Sequence, residues 1–153
     1  MNIWWVALFL YLLHKGTNMK DLEKSSFKFK LPILKEIVYK LNDNQNSKIE
    51  KLNIKGKTKI RKEEDKIAVV NFAISIFDED NGDPFFIYIE MEANFTWDDD
   101  IPKDMLDNLL SINAPSIILS YIRPYVTSLT VGSGFGPIVL PPLNLTKNEA
   151  EYI

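Results

Sequence analysis

Residues 85–97 read Phe-Phe-Ile-Tyr-Ile-Glu-Met-Glu-Ala-Asn-Phe-Thr-Trp, and their alternation decides the fold. Phe85, Ile87, Ile89, Met91, Ala93, Phe95 and Trp97 fall on one side; Phe86, Tyr88, Glu90, Glu92, Asn94 and Thr96 fall on the other. A period of two is that of a β-strand, since successive side chains point to opposite faces. One apolar and one largely polar face predict an antiparallel sheet that packs on one side and meets water or a partner on the other.

Upstream, the pattern repeats three times. Residues 67–77 place Ala68, Val70, Phe72, Ile74 and Ile76 on one face, and Asp78 to Asp83 turn the chain toward residue 85. Asn81-Gly82 suits a type I′ hairpin turn, because both positions tolerate positive φ. The acidic turn does not fit an EF-hand calcium loop, where glycine stands sixth and a bidentate glutamate comes later; Gly82 is fifth from Asp78, so a solvated hairpin tip is expected. A further strand carries Leu52, Ile54, Gly56, Thr58 and Ile60 inward and Lys51, Lys55, Lys57, Lys59 and Arg61 outward. That row lacks the interleaved aromatics of a single-strand nucleic-acid platform and reads as a solvated face. In the earliest strand Phe27, Phe29, Leu31 and Ile33 recur every second residue, and Ile37, Tyr39 and Leu41 resume the same parity. Pro32 cannot donate to a ladder, so this strand is expected at an edge or bent there. Four strands joined by short connections predict an α+β fold built on a four-stranded antiparallel meander.

Downstream of Trp97 the period changes. Asp98-Asp99-Asp100-Ile101-Pro102 reads as a helix start with an aspartate cap, rather than as a cation site. A short helix over 103–111 turns Met105, Leu106, Leu109 and Leu110 inward, and Asn113 is expected to cap a second, longer one. In that helix Ile117, Ile118, Tyr121, Ile122, Tyr125, Val126 and Leu129 spread over more than one stripe. A helix apolar on two sides needs two partners. One is the sheet, and a second subunit is expected against Ile118, Tyr121, Ile122, Tyr125 and Leu129. Pro124 should kink the helix or cost about 3 kcal/mol. Gly132-Ser-Gly134-Phe-Gly136 comes after a helix instead of before one, so C-capping is read there and not a phosphate loop. Residues 138–145 are apolar and extended, and 146–153 are expected to fray or form a short helix.

Composition narrows the function. The chain has 153 residues, 46% hydrophobic and 25% charged, enough for one core. A net charge of −3 gives no electrostatic case for nucleic acid. There is no cysteine, which excludes thiolate chemistry and fits a reducing, cytoplasmic setting. The single histidine, His14, borders the N-terminal apolar run with no visible orienting partner. No cofactor is called for, and enzyme chemistry would fall to carboxylates such as Asp98 and Glu90, which form no convergent constellation. The run from Ile3 to Leu13 is about half the length of a bilayer-spanning helix. Its positive charge lies after rather than before it, unlike a signal peptide. Residues 1–18 are therefore expected to be a mis-assigned start or dispensable extension in preference to an anchor, and 19–153 a single domain. Intact Trp4 and Trp5 in the mass spectrum of the native protein would refute this.

Residues 114–129, Ala-Pro-Ser-Ile-Ile-Leu-Ser-Tyr-Ile-Arg-Pro-Tyr-Val-Thr-Ser-Leu, resemble the main helix of the SecB family of export chaperones. Pro115, Tyr121, Arg123, Thr127 and Ser128 match its pattern, and Gly136-Pro137 through Asn144 resembles its Gly/Pro-rich connection. The proline that the family often has at position 120 is displaced here to Pro124. The resemblance implies a four-stranded sheet with helices on one face, assembling as a dimer or tetramer. It implies an ATP-independent holdase whose long grooves keep unfolded polypeptide clients extended. On this chain Phe135, Ile138, Val139, Leu140 and Leu143 are the candidate groove residues; the alternative is that they simply pack on the helix. Tyr88, Glu90 and Glu92 would be the docking face for the translocation motor ATPase. Tyr88 stands where that face has a glutamate, and the Lys51–Arg61 row makes much of the surface basic. The rival readings are a dedicated chaperone of a toxin–antitoxin pair, which would hold an antitoxin, and a non-chaperone oligomeric module that binds a defined ligand.

Overall fold

The computed structural model describes residues 20–42, 48–79 and 82–153. The expectations for residues 1–18, His14 and Asn81 lie outside the described residues. Among the described residues, six strands form one sheet: β1 (Phe27–Phe29), β2 (Ile33–Leu41), β3 (Ile54–Lys62), β4 (Ile67–Ile76), β5 (Phe85–Trp97) and β6 (Ala150–Tyr152). The helical layer comprises α1 (Lys103–Asn108), a π-helical turn (Leu109–Asn113) and α2 (Ala114–Val131).

The expected four-strand meander is corrected in one respect. β3, β4 and β5 do lie in order as antiparallel neighbours. The first strand, however, crosses to the far side and pairs with β5, not with β3. Burial explains the choice. β5 has the longest apolar face, with Phe85, Ile87, Ile89 and Phe95 all fully buried. Flanking it on both sides covers that face, whereas β3, with lysine at every second residue, tolerates an edge. At that edge β6 adds a short parallel pairing, Thr58 opposite Ala150 and Ile60 opposite Tyr152, where fraying or a short helix was expected.

The first strand is broken as Pro32 predicts, and the break decides which side chains face inward. Phe29 lies opposite Phe95, but Ile33 lies opposite Glu92, so one extra residue has entered at the break. A second slip lies between Leu34 and Glu36, after which Ile37 faces Ile89. Each extra residue moves the later side chains of the strand to the other face of the sheet. The two slips cancel, which is why residues 37, 39 and 41 keep the parity of residues 27 and 29. Between them Leu31 and Ile33 are left 74% and 64% exposed.

Two capping expectations are also corrected. Asn113 has helical φ and ψ (−73°, −43°) and makes no capping bond, because the helix does not restart there. Pro115 lacks the N–H that an α-helix would direct to Ser111, and the wider π turn just before it lets the backbone continue. Nor do Asp98, Asp99 and Asp100 cap α1, whose N-cap is Pro102. Asp98 accepts from Lys28 at 2.9 Å, Asp99 pairs with Lys66 at 2.7 Å and Asp100 accepts from Ser26 at 2.8 Å. Lys28 and Ser26 belong to the β1 region and Lys66 to the β3–β4 turn, so the carboxylates tie the end of β5 to its neighbours instead.

The core lies on one face of the sheet, where Leu110, Ile118, Ile122 and Val126 meet Phe72, Ile74, Ile87, Ile89 and Phe95. Each such fully buried side chain contributes about 1.5–3 kcal/mol. Met105, expected inward, is 56% exposed. The long helix α2 rests on β4 and β5, leaving the inner side of the β1/β2 edge beside it.

Candidate functional site

Two flanks of α2 carry the features of interest. Along one, the chain beyond the helix doubles back and is clipped to it. The Arg123 guanidinium donates to the carbonyls of Leu140 and Pro141, the latter at 3.1 Å. Thr127 Oγ1 donates to the Ile138 carbonyl at 3.0 Å, and the Ile138 amide donates to Thr130 Oγ1 at 2.7 Å. Extended backbone with prolines has no ladder of its own, so these side chains satisfy its polar groups. Gly134 and Gly136 make the reversal at φ of +86° and +82°.

The five candidate groove residues on this strap differ in environment. Leu140 is 3% exposed and belongs to the core. Phe135, Ile138 and Leu143 are half-buried against the core, with the Phe135 ring 5.8 Å from that of Phe85. Val139 stands 76% exposed.

On the other flank of α2, Tyr121 faces the edge strand, Tyr125 follows one turn later, and Leu129 packs half-buried against the core. Ile118 and Ile122, on the adjoining arc, are fully buried against the sheet. Tyr125 is 38% exposed, and Tyr121 meets the Phe29 ring edge-on at 6.2 Å. Phe29 in turn stacks on Phe95 at 5.9 Å, with Phe27 on Phe95's other side at 5.2 Å. Farther along β2, Ile37 and Leu41 face inward opposite Ile89 and Phe85. Yet Phe29, Ile37 and Leu41 remain 40%, 38% and 41% exposed, Phe29 being covered only in part by Tyr121. The result is an apolar shelf with the edge strand as floor and the tyrosine flank of α2 as wall. Tyr39, on the same face, buries its hydroxyl without a hydrogen-bond partner beside Phe85. Alternation places Phe29, Ile37 and Leu41 on the correct face, but an inward side chain is not always a covered one. The edge position next to a proline-broken strand is the signal in the sequence that coverage would fail.

The outer face of the sheet is polar. Glu90 accepts from the Tyr88 hydroxyl at 2.5 Å and from the Asn71 amide at 2.6 Å. These two bonds, with help from Lys59 and Lys35, hold the Glu90 carboxyl below the usual carboxylate range despite partial burial. Partial burial and the Glu90 carboxylate together push the Tyr88 phenol well above its ordinary value. Glu92 pairs with Lys35 at 3.7 Å. Elsewhere, a cavity of about 240 Å³ lies between Phe72 and Ile74 of the inner face and Leu143 and Leu145. Among the described residues no group of three or more His, Cys, Asp or Glu could hold a metal, and no helix is long and apolar enough to cross a membrane.

With this geometry in place, the likenesses are specific. The family model described as preprotein translocase subunit SecB matches residues 27–148. A protein-export protein SecB from Thiobacillus denitrificans is 34% identical over 44 residues, a match that spans 29% of this chain and 29% of that one. An uncharacterized protein from Methanocaldococcus jannaschii, MJ0357, is 24% identical over 131 residues, covering 80% and 81% of the two chains. In three dimensions the chain is similar to the Mycobacterium tuberculosis Rv1957 SecB-like chaperone, solved with a ChAD peptide from the Rv1956 HigA1 antitoxin. The TM-score is 0.60 at 17% identity, over 77% of this chain and 88% of that one.

Proposed function

The chain belongs to the SecB family, and from that membership we propose that it is an ATP-independent holding chaperone that keeps non-native polypeptides extended on the apolar shelf. One observation carries this reading: Phe29, Ile37, Leu41 and Tyr125 stay between 38% and 41% exposed on a face whose other side chains form the core. A row of partly covered apolar side chains suits an extended client, which offers a side chain to one face at every second residue. It demands no shaped polar pocket, so many sequences satisfy it. On the opposite flank Val139 and half-buried Ile138 extend the apolar surface, while Leu140 anchors the strap from within. Of the residues expected at a subunit interface on α2, Ile118 and Ile122 are occupied by the sheet, and Tyr121 and Tyr125 line the shelf instead. The compartment is the cytoplasm. The client pool is general or export-bound; a dedicated antitoxin client is the second reading, supported by the peptide held by the Mycobacterium tuberculosis neighbour.

The test is light scattering of heat-aggregating citrate synthase, without nucleotide. The wild-type chain suppresses the signal in proportion to its concentration. The variant Ile37→Ser/Leu41→Ser, at positions already two-fifths exposed, keeps its fold but loses about 1 kcal/mol of client contact. About fivefold more protein is then needed for the same suppression. Undiminished suppression by the folded variant refutes the shelf, and no suppression by the wild type refutes the chaperone reading.

A further inference from the structure

Beside β3, the cavity of about 240 Å³ between the sheet and the end of the strap has an apolar interior and a polar mouth. Along β3 the inner face runs Ile54, Gly56, Thr58, Ile60, and Gly56 lines the cavity without a side chain to fill it. Glycine inside a strand often marks a place where a ligand comes close. Here the Phe72 ring lies near enough that a Cβ at position 56 would stand 3.4 Å from two of its atoms. Phe72 and Ile74 of the sheet, with Leu143 and Leu145 beyond it, make the walls apolar. At the mouth β3 is an open edge, because β6 pairs only with Thr58, Lys59 and Ile60. Asn53 accepts from the Phe77 amide at 2.8 Å on the β4 side, and Ile60 accepts from the Ile153 amide at 3.0 Å on the β6 side. Successive residues of a strand alternate in this respect. Gly56 therefore turns its N–H to the open edge, where it meets no acceptor among the described residues. Lys147 stands exposed at the same mouth and makes no ion pair among the described residues. Asp78 and Glu151 are bound to Lys55 and Lys57, and neither they nor Glu149 line the cavity.

We propose that this cavity binds a medium-chain monocarboxylate, its alkyl tail between Phe72 and Leu143 and its carboxylate at the mouth, held by the Gly56 amide and the Lys147 ammonium. The volume lies below the roughly 300–1,000 Å³ of sites for drug-sized ligands, which limits the tail to one short chain. Its apolar walls reward an alkyl chain in proportion to the area removed from water. A carboxylate offers two oxygens, one for each donor, and such charge-assisted bonds are about twice as strong as neutral ones. A phosphate or dicarboxylate would bring more charge than one lysine offsets, and a cation would be repelled by it. Bound there, the ligand joins the end of the strap to the open edge of β3. The site lies away from the apolar shelf, so it stands or falls independently of client binding there.

Amide chemical shifts of the full chain, followed by NMR during titration with sodium octanoate, test it. The Gly56 amide and those of residues 143–148 should move saturably. Octan-1-ol has the same tail without the charge and should bind about tenfold more weakly; octyltrimethylammonium and the uncharged peptide N-acetyl-Ala-Leu-Ala amide should leave Gly56 unmoved. Lys147→Gln, at an exposed position, should weaken octanoate about fivefold and leave octan-1-ol unchanged. Leu143→Trp, which fills the cavity, should abolish both. Circular dichroism checks folding, and should the tryptophan variant unfold, the Lys147→Gln comparison decides alone. Absence of saturable shifts, shifts centred on residues 29–41, or equal affinity of Lys147→Gln and wild type would overturn the proposal. So would octan-1-ol or the peptide moving Gly56 as strongly as octanoate does; the peptide result would give the cavity to an extended chain instead.

Discussion

At Glu90 two neutral donors, the Tyr88 hydroxyl and the Asn71 amide, converge on one carboxylate in the middle of a sheet face. Both bonds favour the ionised form, which is why this carboxyl titrates lower than an ordinary glutamate. That direction sets the sign of the stability effect. A carboxyl whose folded pKa is depressed contributes stability above its unfolded value, about 4.3. The contribution disappears as pH falls through the folded value. Glu90→Gln keeps an acceptor but removes the charge. The variant should therefore lose about 0.5–1 kcal/mol at neutral pH, a figure already reduced for solvent screening. Urea unfolding at pH 7 and near pH 3 checks it: the gap between wild type and variant should close at the acid end. An equal gap at both pH values would mean that the carboxylate charge is not what Tyr88 and Asn71 stabilise.

Among the elements, α2 contains the clearest conflict between propensity and position. Pro124 lies inside an 18-residue helix, on its exposed side. It removes the bond to the Ser120 carbonyl, a cost near 3 kcal/mol, and returns up to about 1 kcal/mol by stiffening the unfolded chain. Pro124→Ala should thus stabilise the fold by about 1–2 kcal/mol. A rise in Tm of roughly 3–6 °C in calorimetry would report it; an unchanged or lower Tm would mean that the helix is shaped around the proline. The same elements show how far a sequence can be read. β3, β4 and β5 were legible because alternation and close turns leave one cheap arrangement. The partner of the first strand was not, since alternation fixes which face a residue takes and not which strand lies beside it. Leu31 and Ile33 were misplaced because two one-residue slips cancel, and only the register reveals them. β6 is three residues long and largely polar, too short to show a period. Arg123 and Thr127 stood out through the resemblance, but their role as clips for the strap needed the return path of the chain.

Over the whole molecule, the two edges of the sheet are treated in opposite ways. The β3 edge is closed in part by β6, and its outer face is lined by lysines, both defences against stray pairing. The β1/β2 edge is broken and bulged yet keeps apolar side chains partly open toward α2. Irregularity discourages uncontrolled strand addition, while the inner side of the same edge stays available to side chains of a client. Hydrogen exchange on the full chain, with and without reduced carboxymethylated lactalbumin as a permanently unfolded client, separates the two edges. Without client, amides of β4 and β5 should exchange slowest, because each is flanked by strands and covered by α2. Those of β2 should exchange faster, since it pairs on one side only. With client, residues 33–41 and 121–129 should gain protection, while 55–61 and 88–92 keep their free-state rates. Protection confined to the outer-face segments would remove the client from the shelf and place it on the polar outer face of the sheet.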